Sequence, residues 1–360
     1  MTANLEEKNV VVLGGNISGL STVLSLSKKN IPTTLYEEKI WAKPCGGGFG
    51  FGLTHTLKEL GVDIPFRYVK WLTVANKYKK VDIIMPLTIV SRYELQRSLM
   101  SIVKQRDNVN VQLGRKLNFS KDFDKFQDIN VVASGINGFS RQALGKSLSG
   151  VGMFQYQLIK AESENLVNFG STIFYMLPKA QGYAWLFPAP EGMIDIGIGG
   201  LSKGVNWDRE LAKFLIWVKR EYGQTIKLTK KNRSWGIPIP MNKPGRIARK
   251  YKNKVFVGVG DAIELADSIT AAGIEPAWFS GQLLGDAISS PSSIDLRKYA
   301  LDLESKLRSA NITTVSARIG TKFVRNNIMF PIVFSLVPNR LVKLALNWQQ
   351  LPPELQINHS

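Results

Sequence analysis

The feature that most constrains this chain is Val10–Leu13, four apolar residues followed at once by Gly14-Gly15-Asn16-Ile17-Ser18-Gly19. An uninterrupted apolar run of this length is the pattern of a strand buried on both faces of a parallel sheet. Leu20, Val23, Leu24 and Leu26 then recur at helical spacing as far as Lys28 and Lys29, Asn30 closes the helix, and residues 32–37 (PTTLYE) read as a second strand. A β-α-β unit with Gly14 after the strand, Gly19 at the helix start and Glu37 closing the next strand is the dinucleotide-binding arrangement. Its glycine turn, which includes Gly15 and Ser18, lets a pyrophosphate meet the helix N-terminus, and its carboxylate binds ribose hydroxyls. Asn16 stands where the middle glycine of that pattern belongs; it tolerates positive φ better than most residues, which predicts that the turn survives. A tight strand-to-helix turn with no ligand is the competing explanation.

A second segment of the same kind comes late. Residues 255–259 read as a buried strand, Gly260-Asp261 as a turn, and a helix begins near Ala272 and runs to residue 288. Asp261 can bond a hydroxyl-bearing chain, and the backbone at Ala272, Gly273 and Ile274 can donate to an anionic ring edge; a simple Asp helix cap is the alternative. Between the two segments, short alternating runs (VKWLTVA, VDIIMP, STIFYML, YAWLFP, MIDIGIG) predict an antiparallel sheet, with helices at residues 92–104 and 207–222. The fold class expected is therefore α/β: a discontinuous nucleotide domain (1–64, 92–149 and 240–290), an inserted antiparallel-sheet substrate domain (65–91 and 150–239), and a helical C-terminal region (291–360).

Charge and composition narrow the partners. Lys and Arg number 47 against 28 acids, a net +19, which favours an anionic partner. Residues 203–254 alone hold fifteen Lys or Arg and three acids, a net +12; such a run is either a solvated face or a surface for anionic lipid headgroups. Without a recognisable nucleic-acid module, nucleic acid is not expected. One cysteine, Cys45, and two histidines, His55 and His359, exclude an intramolecular disulfide and the usual zinc site, so no metal is expected. The first fifteen residues lack the basic start and long apolar centre of a secretory signal, which predicts a cytoplasmic protein. Residues 326–339 are charge-free but interrupted by Pro331 and Pro338, and with the cations and Trp348 that follow they can pack in a core or lie on a membrane, not cross one.

Two further features bear on chemistry. Residues 39–52 are too rich in glycine for a helix or a central strand and read as a loop, with Pro44-Cys45-Gly46-Gly47-Gly48 at its centre. Cys45 is either a small buried hydrophobe or a thiol brought close to a planar ring. Tyr183, Trp185 and Phe187 alternate along a strand, so the three rings share one face and make an apolar wall, for a long hydrocarbon or for a packed helix.

The glycine turn with Glu37, the Pro44-Cys45-Gly46-Gly47 loop, Gly260-Asp261-Ala262 with Gly273-Ile274, and above all Tyr183-Ala-Trp185-Leu-Phe187-Pro188 followed by Gly197-Ile-Gly199 together resemble the geranylgeranyl reductase family, within the flavoproteins built like para-hydroxybenzoate hydroxylase. The resemblance implies a non-covalent FAD held by Gly14, Gly15, Asn16, Ser18, Gly19, Glu37, Gly46, Gly47, Arg92, Gly260, Asp261, Ala272, Gly273 and Ile274. It implies Cys45 as a catalytic thiol, Tyr183, Trp185 and Phe187 as substrate wall, and reduction of isolated double bonds of a polyprenyl lipid or quinone. Electrons would come from an external carrier such as NADPH or ferredoxin, with peripheral attachment to an anionic membrane. The chain departs from the family pattern at Asn16, at Ser134 in Ala133-Ser134-Gly135, and at Asp267, Ser268 and Ala271. A flavin monooxygenase acting on an apolar ring and a lipid-surface binding protein without activity are the alternatives.

Overall fold

The computed structural model describes residues 8–40, 45–145, 152–160, 170–180, 182–200, 204–223, 225–226, 235–237, 246–266 and 272–309. Pro44, Asp267, Ser268, Ala271, His359 and the apolar C-terminal run at 326–339 lie outside these residues, as does most of the expected C-terminal helical region.

From the N-terminus the chain runs through β1 (Val10–Leu13), α1 (Ile17–Lys28), β2 (Thr33–Glu37), β3 (Gly48–Phe49), α2 (Phe51–Glu59), β4 (Arg67–Ala75) and β5 (Lys80–Ile89). It continues with α3 (Arg92–Lys104), β6 (Val109–Leu113), β7 (Ile129–Val132), α4 (Gly138–Leu144), β8 (Gly152–Lys160), β9 (Ser171–Leu177), β10 (Gly182–Pro188) and β11 (Met193–Gly200). Then follow α5 (Trp207–Tyr222), β12 (Trp235–Ile237), β13 (Ala248–Tyr251), β14 (Lys254–Gly258), α6 (Ile274–Ala287), a hairpin of β15 (Ile288–Ser290) and β16 (Ser293–Ile294), and α7 (Leu296–Ser309).

Six strands form the first sheet in the order β13-β14-β7-β1-β2-β6, parallel except for β13 at the edge. β1 and β7 are buried along their whole length, β1 as an uninterrupted apolar strand and β7 with one polar residue, Asn130, whose amide donates to the Gln127 carbonyl. α1 is buried from Ile17 to Ser27 although half of that stretch is Ser, Thr or Gly. Its small residues lie under α6: a Cβ on Gly281 would stand 2.3 Å from the Ser18 carbonyl oxygen, and one on Gly285 2.4 Å from the Ser25 Cβ. At that distance the hydroxyls find partners across the seam, Ser21 Oγ donating to the Trp278 carbonyl at 2.6 Å and Ser25 Oγ to Asp286 at 2.9 Å.

Eight strands form the second sheet in the order β12-β8-β11-β10-β9-β4-β5-β3. Every pair is antiparallel except β4 and β9, which are parallel, a correction to the uniformly antiparallel expectation. The cause is topological: between β5 and β9 the chain crosses to the first sheet for α3, β6, β7 and α4, and a long crossover permits parallel return where a hairpin does not. A second correction falls in the glycine-rich stretch read as loop, where Gly48 and Phe49 pair with Ile89 and Thr88 as a two-residue edge strand. α5 covers one face of this sheet, packing Phe214, Trp217 and Val218 on Tyr175, Ala184, Leu186 and Ile196.

Candidate active site

The glycine turn after β1 is set by backbone contacts. Gly14 sits at φ +113°, and a Cβ there would lie 2.6 Å from the Ala133 carbonyl oxygen of β7's extension. One on Gly19 would lie 1.9 Å from the Gly14 carbonyl oxygen. Asn16 does not use positive φ: it is extended (φ −85°) and is the N-cap of α1, its Oδ1 accepting from Ser18 N at 3.1 Å, Gly19 N at 3.4 Å and Ser18 Oγ at 2.8 Å. The positive φ falls on Gly14 instead, because the chain reverses before the cap and not at it. Asn16 Nδ2 donates to the Ala133 carbonyl, so this amide links the turn to the neighbouring strand. Glu37 accepts from Gly15 N and, at 2.9 Å, from Lys39 N, which fixes its carboxylate at the end of β2. Gln96 of α3, which sequence reasoning missed, donates to the Gly15 carbonyl at 2.7 Å.

Gly260, at φ +58°, rests on the first turn of α1; a Cβ would come 2.7 Å from Ser18 Oγ. The early and late glycine segments are thereby adjacent, and Asp261 follows. Arg92, the first residue of α3, has its Nη1 buried without a hydrogen-bond partner. Burial pulls this guanidinium below its ordinary pKa, while Cys45 and Asp261 are close enough to pull the other way. α6 begins nearby: Gly273 is its N-cap with no side-chain bond, so the helix starts two residues after Ala272.

Cys45 is half-buried at the head of the glycine loop. Behind it, Gly46 lies against Phe187, whose Cε2 would be 2.6 Å from a Cβ at that position. Gly47, at φ +69°, is held to β5's end by the Val90 N–H, which donates to its carbonyl at 3.2 Å. Phe187 belongs to the ring face of β10. Phe174 of β9 joins that face, 4.7 Å from Tyr183 and 5.5 Å from Phe187 between centroids. Trp185 lies flat over Gly197, and its Nε1 donates to the buried Asp195 carboxylate at 2.6 Å. α5 packs on the opposite face, through Ala184 and Leu186, so the rings are not there to receive that helix. Asp195 was missed in the sequence; its signal was its register opposite Phe187, diagonal to Trp185.

His55 lies on the surface of α2, 3.1 Å from Glu59. The basic segment is not one solvated face. Arg249 Nη1 donates to the Gln142 carbonyl at 2.6 Å, and Lys254 donates to the Phe123 and Phe126 carbonyls, whereas Lys250 and Lys252 are exposed. Among the described residues no helix is long and apolar enough to cross a membrane.

No family model matches the chain. It is 30% identical to a digeranylgeranylglycerophospholipid reductase of Thermoplasma acidophilum over 79% of its own length and 80% of that protein. The chain belongs to the geranylgeranyl reductase family. Among solved structures it is similar to a geranylgeranyl bacteriochlorophyll reductase-like protein from Thermoplasma acidophilum, at TM-score 0.68 and 17% identity over 95% of this chain and 96% of the other. It is also similar to PqsL, a probable FAD-dependent monooxygenase from Pseudomonas aeruginosa, at TM-score 0.65 and 14% identity over 91% and 99%. As a geranylgeranyl reductase family member the chain is an FAD-dependent oxidoreductase. Its own residues fit that cofactor. Arg92 holds a buried guanidinium N–H without an acceptor, which phosphate, ribityl or ring oxygens would satisfy, and it lies near Asp261 and Cys45.

Proposed function

We propose that this chain saturates carbon-carbon double bonds in the geranylgeranyl chains of a membrane lipid or quinone. The observation that carries the reading is the seat of Phe187 on Gly46, which joins the ring wall of the second sheet to the loop that presents Cys45. In this reading Gly14, Gly15, Asn16, Ser18, Gly19 and Glu37 hold the adenosine diphosphate half of FAD. Gly46, Gly47, Arg92, Gly260, Asp261, Ala272, Gly273 and Ile274 surround its flavin half. Bound there and reduced by an external donor, FAD would supply hydride chemistry.

An isolated alkene is a poor hydride acceptor, so the protein's task is to orient it and exclude water. Tyr183, Trp185, Phe187 and Phe174 form a largely buried apolar wall of tilted rings against which a branched hydrocarbon would lie. Asp195, by fixing the indole over Gly197, keeps that wall in one shape. The proton that completes the second C–H bond comes from Cys45, from water or from a tyrosine, and Arg92 beside the thiol favours the thiolate left behind. The exposed cations of the basic segment bring the protein to anionic lipid, each nearby one contributing ~1 kcal/mol.

The test is anaerobic. FAD-loaded protein, chemically reduced, is incubated with a geranylgeranyl lipid, and the products are read by mass spectrometry. A gain of two hydrogens per double bond is expected. Cys45→Ser should slow it while FAD stays bound. A lipid unchanged without oxygen and hydroxylated with it would replace this reading with the monooxygenase one.

A further inference from the structure

Glu275 is the second residue of α6, directly after the Gly273-Ile274 turn, and the sequence gives it only the ordinary role of an acid in a helix's first turn. In the structure its carboxyl leaves the helix. It accepts a hydrogen bond from the backbone N–H of Gly50, which is the N-cap of α2 and ends the glycine loop begun by Cys45. A Cβ on Gly50 would stand 2.9 Å from Glu275 Oε1, so the carboxyl occupies the space that glycine leaves open. Burial pushes this carboxyl above the usual carboxylate range, against the Gly50 amide and Lys306 of α7.

The loop from Cys45 to Gly50 is otherwise tied to the second sheet: Gly46 rests on Phe187, Gly47 bonds Val90, and Gly48 and Phe49 pair with β5. Those ties set the thiol relative to the ring wall. The Glu275 bond runs the other way, to the helix start assigned above to the flavin ring edge.

We propose that Glu275 is a positioning residue, its carboxyl clamping the Cys45 loop to the N-terminus of α6 and so holding the thiol in register with the flavin. The assignment rests on the proposed flavin position, while the clamp itself is measurable without any prenyl substrate. Because Cys45 is the chain's single cysteine, its reaction with a thiol reagent reports the loop alone.

The experiment follows the rate at which 5,5′-dithiobis(2-nitrobenzoate) labels the FAD-loaded full chain. Gly50 has φ −77° and ψ 163°, which alanine adopts without strain, so Gly50→Ala displaces the carboxyl while leaving the backbone path open. Glu275→Ala and Gly50→Ala should each speed labelling about tenfold, the loss of one buried hydrogen bond. Glu275→Gln, which keeps an acceptor for the Gly50 N–H, should stay within about twofold of the parent. The double variant should label no faster than either alanine variant, because both remove one contact. The flavin visible spectrum should shift in the alanine variants and return in the glutamine variant.

Parent-like labelling in both alanine variants, or a glutamine variant as fast as Glu275→Ala, overturns the clamp. Should Glu275→Ala not fold, Gly50→Ala decides alone. A parent chain that leaves prenyl lipid unreduced sinks the substrate reading and leaves the labelling result standing.

Discussion

Two glycine-rich segments of this molecule use glycine, for the most part, for different reasons. In the turn from Gly14 to Gly19 the missing side chains let backbone approach backbone, with Gly14 against the Ala133 carbonyl and Gly19 against the Gly14 carbonyl. In the loop from Cys45 to Gly50 the openings at Gly46 and Gly50 are filled by side chains from elsewhere, Phe187 and Glu275. The first segment is made rigid by backbone, its own and that of Ala133; the second, apart from Gly47 on the Val90 carbonyl, is a socket whose shape depends on what plugs into it. A glycine's company in three dimensions, not its number in a run, tells which it is.

The largest expected effect comes from attacking the rigid segment. Gly19→Ala would set a methyl 1.9 Å from a carbonyl oxygen that cannot step aside, and unfolding free energy should fall by about 3 kcal/mol or more in denaturant titration. A loss under about 1 kcal/mol would break the distinction between the segments. Next comes Glu37→Ala, which removes the acceptor of Gly15 N and Lys39 N. FAD affinity should drop by about 1.5–3 kcal/mol, roughly 10- to 150-fold, in a flavin-fluorescence titration.

The socket should respond differently. Gly46→Ala meets a ring that can turn, so stability should fall by only about 1 kcal/mol while kcat/KM for prenyl lipid falls about tenfold and FAD affinity holds. Equal losses of FAD binding and lipid reduction would mean that Gly46 belongs with the rigid turn. Asn16→Ala sharpens the comparison from the other side: removing the α1 cap should cost about 1 kcal/mol in FAD-free protein. The cost should shrink with FAD bound, because phosphate then satisfies the same N–H groups. The smallest effect is at the surface. Lys250→Glu with Lys252→Glu should weaken binding to anionic vesicles at low salt, with little difference left at ~0.1 M, where exposed charges are screened over ~10 Å. Arg249 is a poor choice for that test, since its guanidinium is bonded to the Gln142 carbonyl.

The sequence by itself determined the local elements whose signals are local. Helices at residues 92–104 and 207–222, the strand at residues 10–13 and the ring alternation at Tyr183, Trp185 and Phe187 are all legible, because apolar periodicity and caps such as Ser91 and Asn206 act within a few residues. Only the tertiary structure decided what each face meets. Asn16 reads as a replaced glycine, and only the structure shows its extended backbone and its amide donating to the distant Ala133 carbonyl. The rings of β10 read equally as core or as wall in the sequence; the structure buries all three and seats α5 on the other face. Glu275 reads as a dipole partner until Gly50, 225 positions away in the chain, offers it an N–H. Burial and hydrogen bonding between distant segments depend on how the two sheets come together, and no window of sequence carries that geometry.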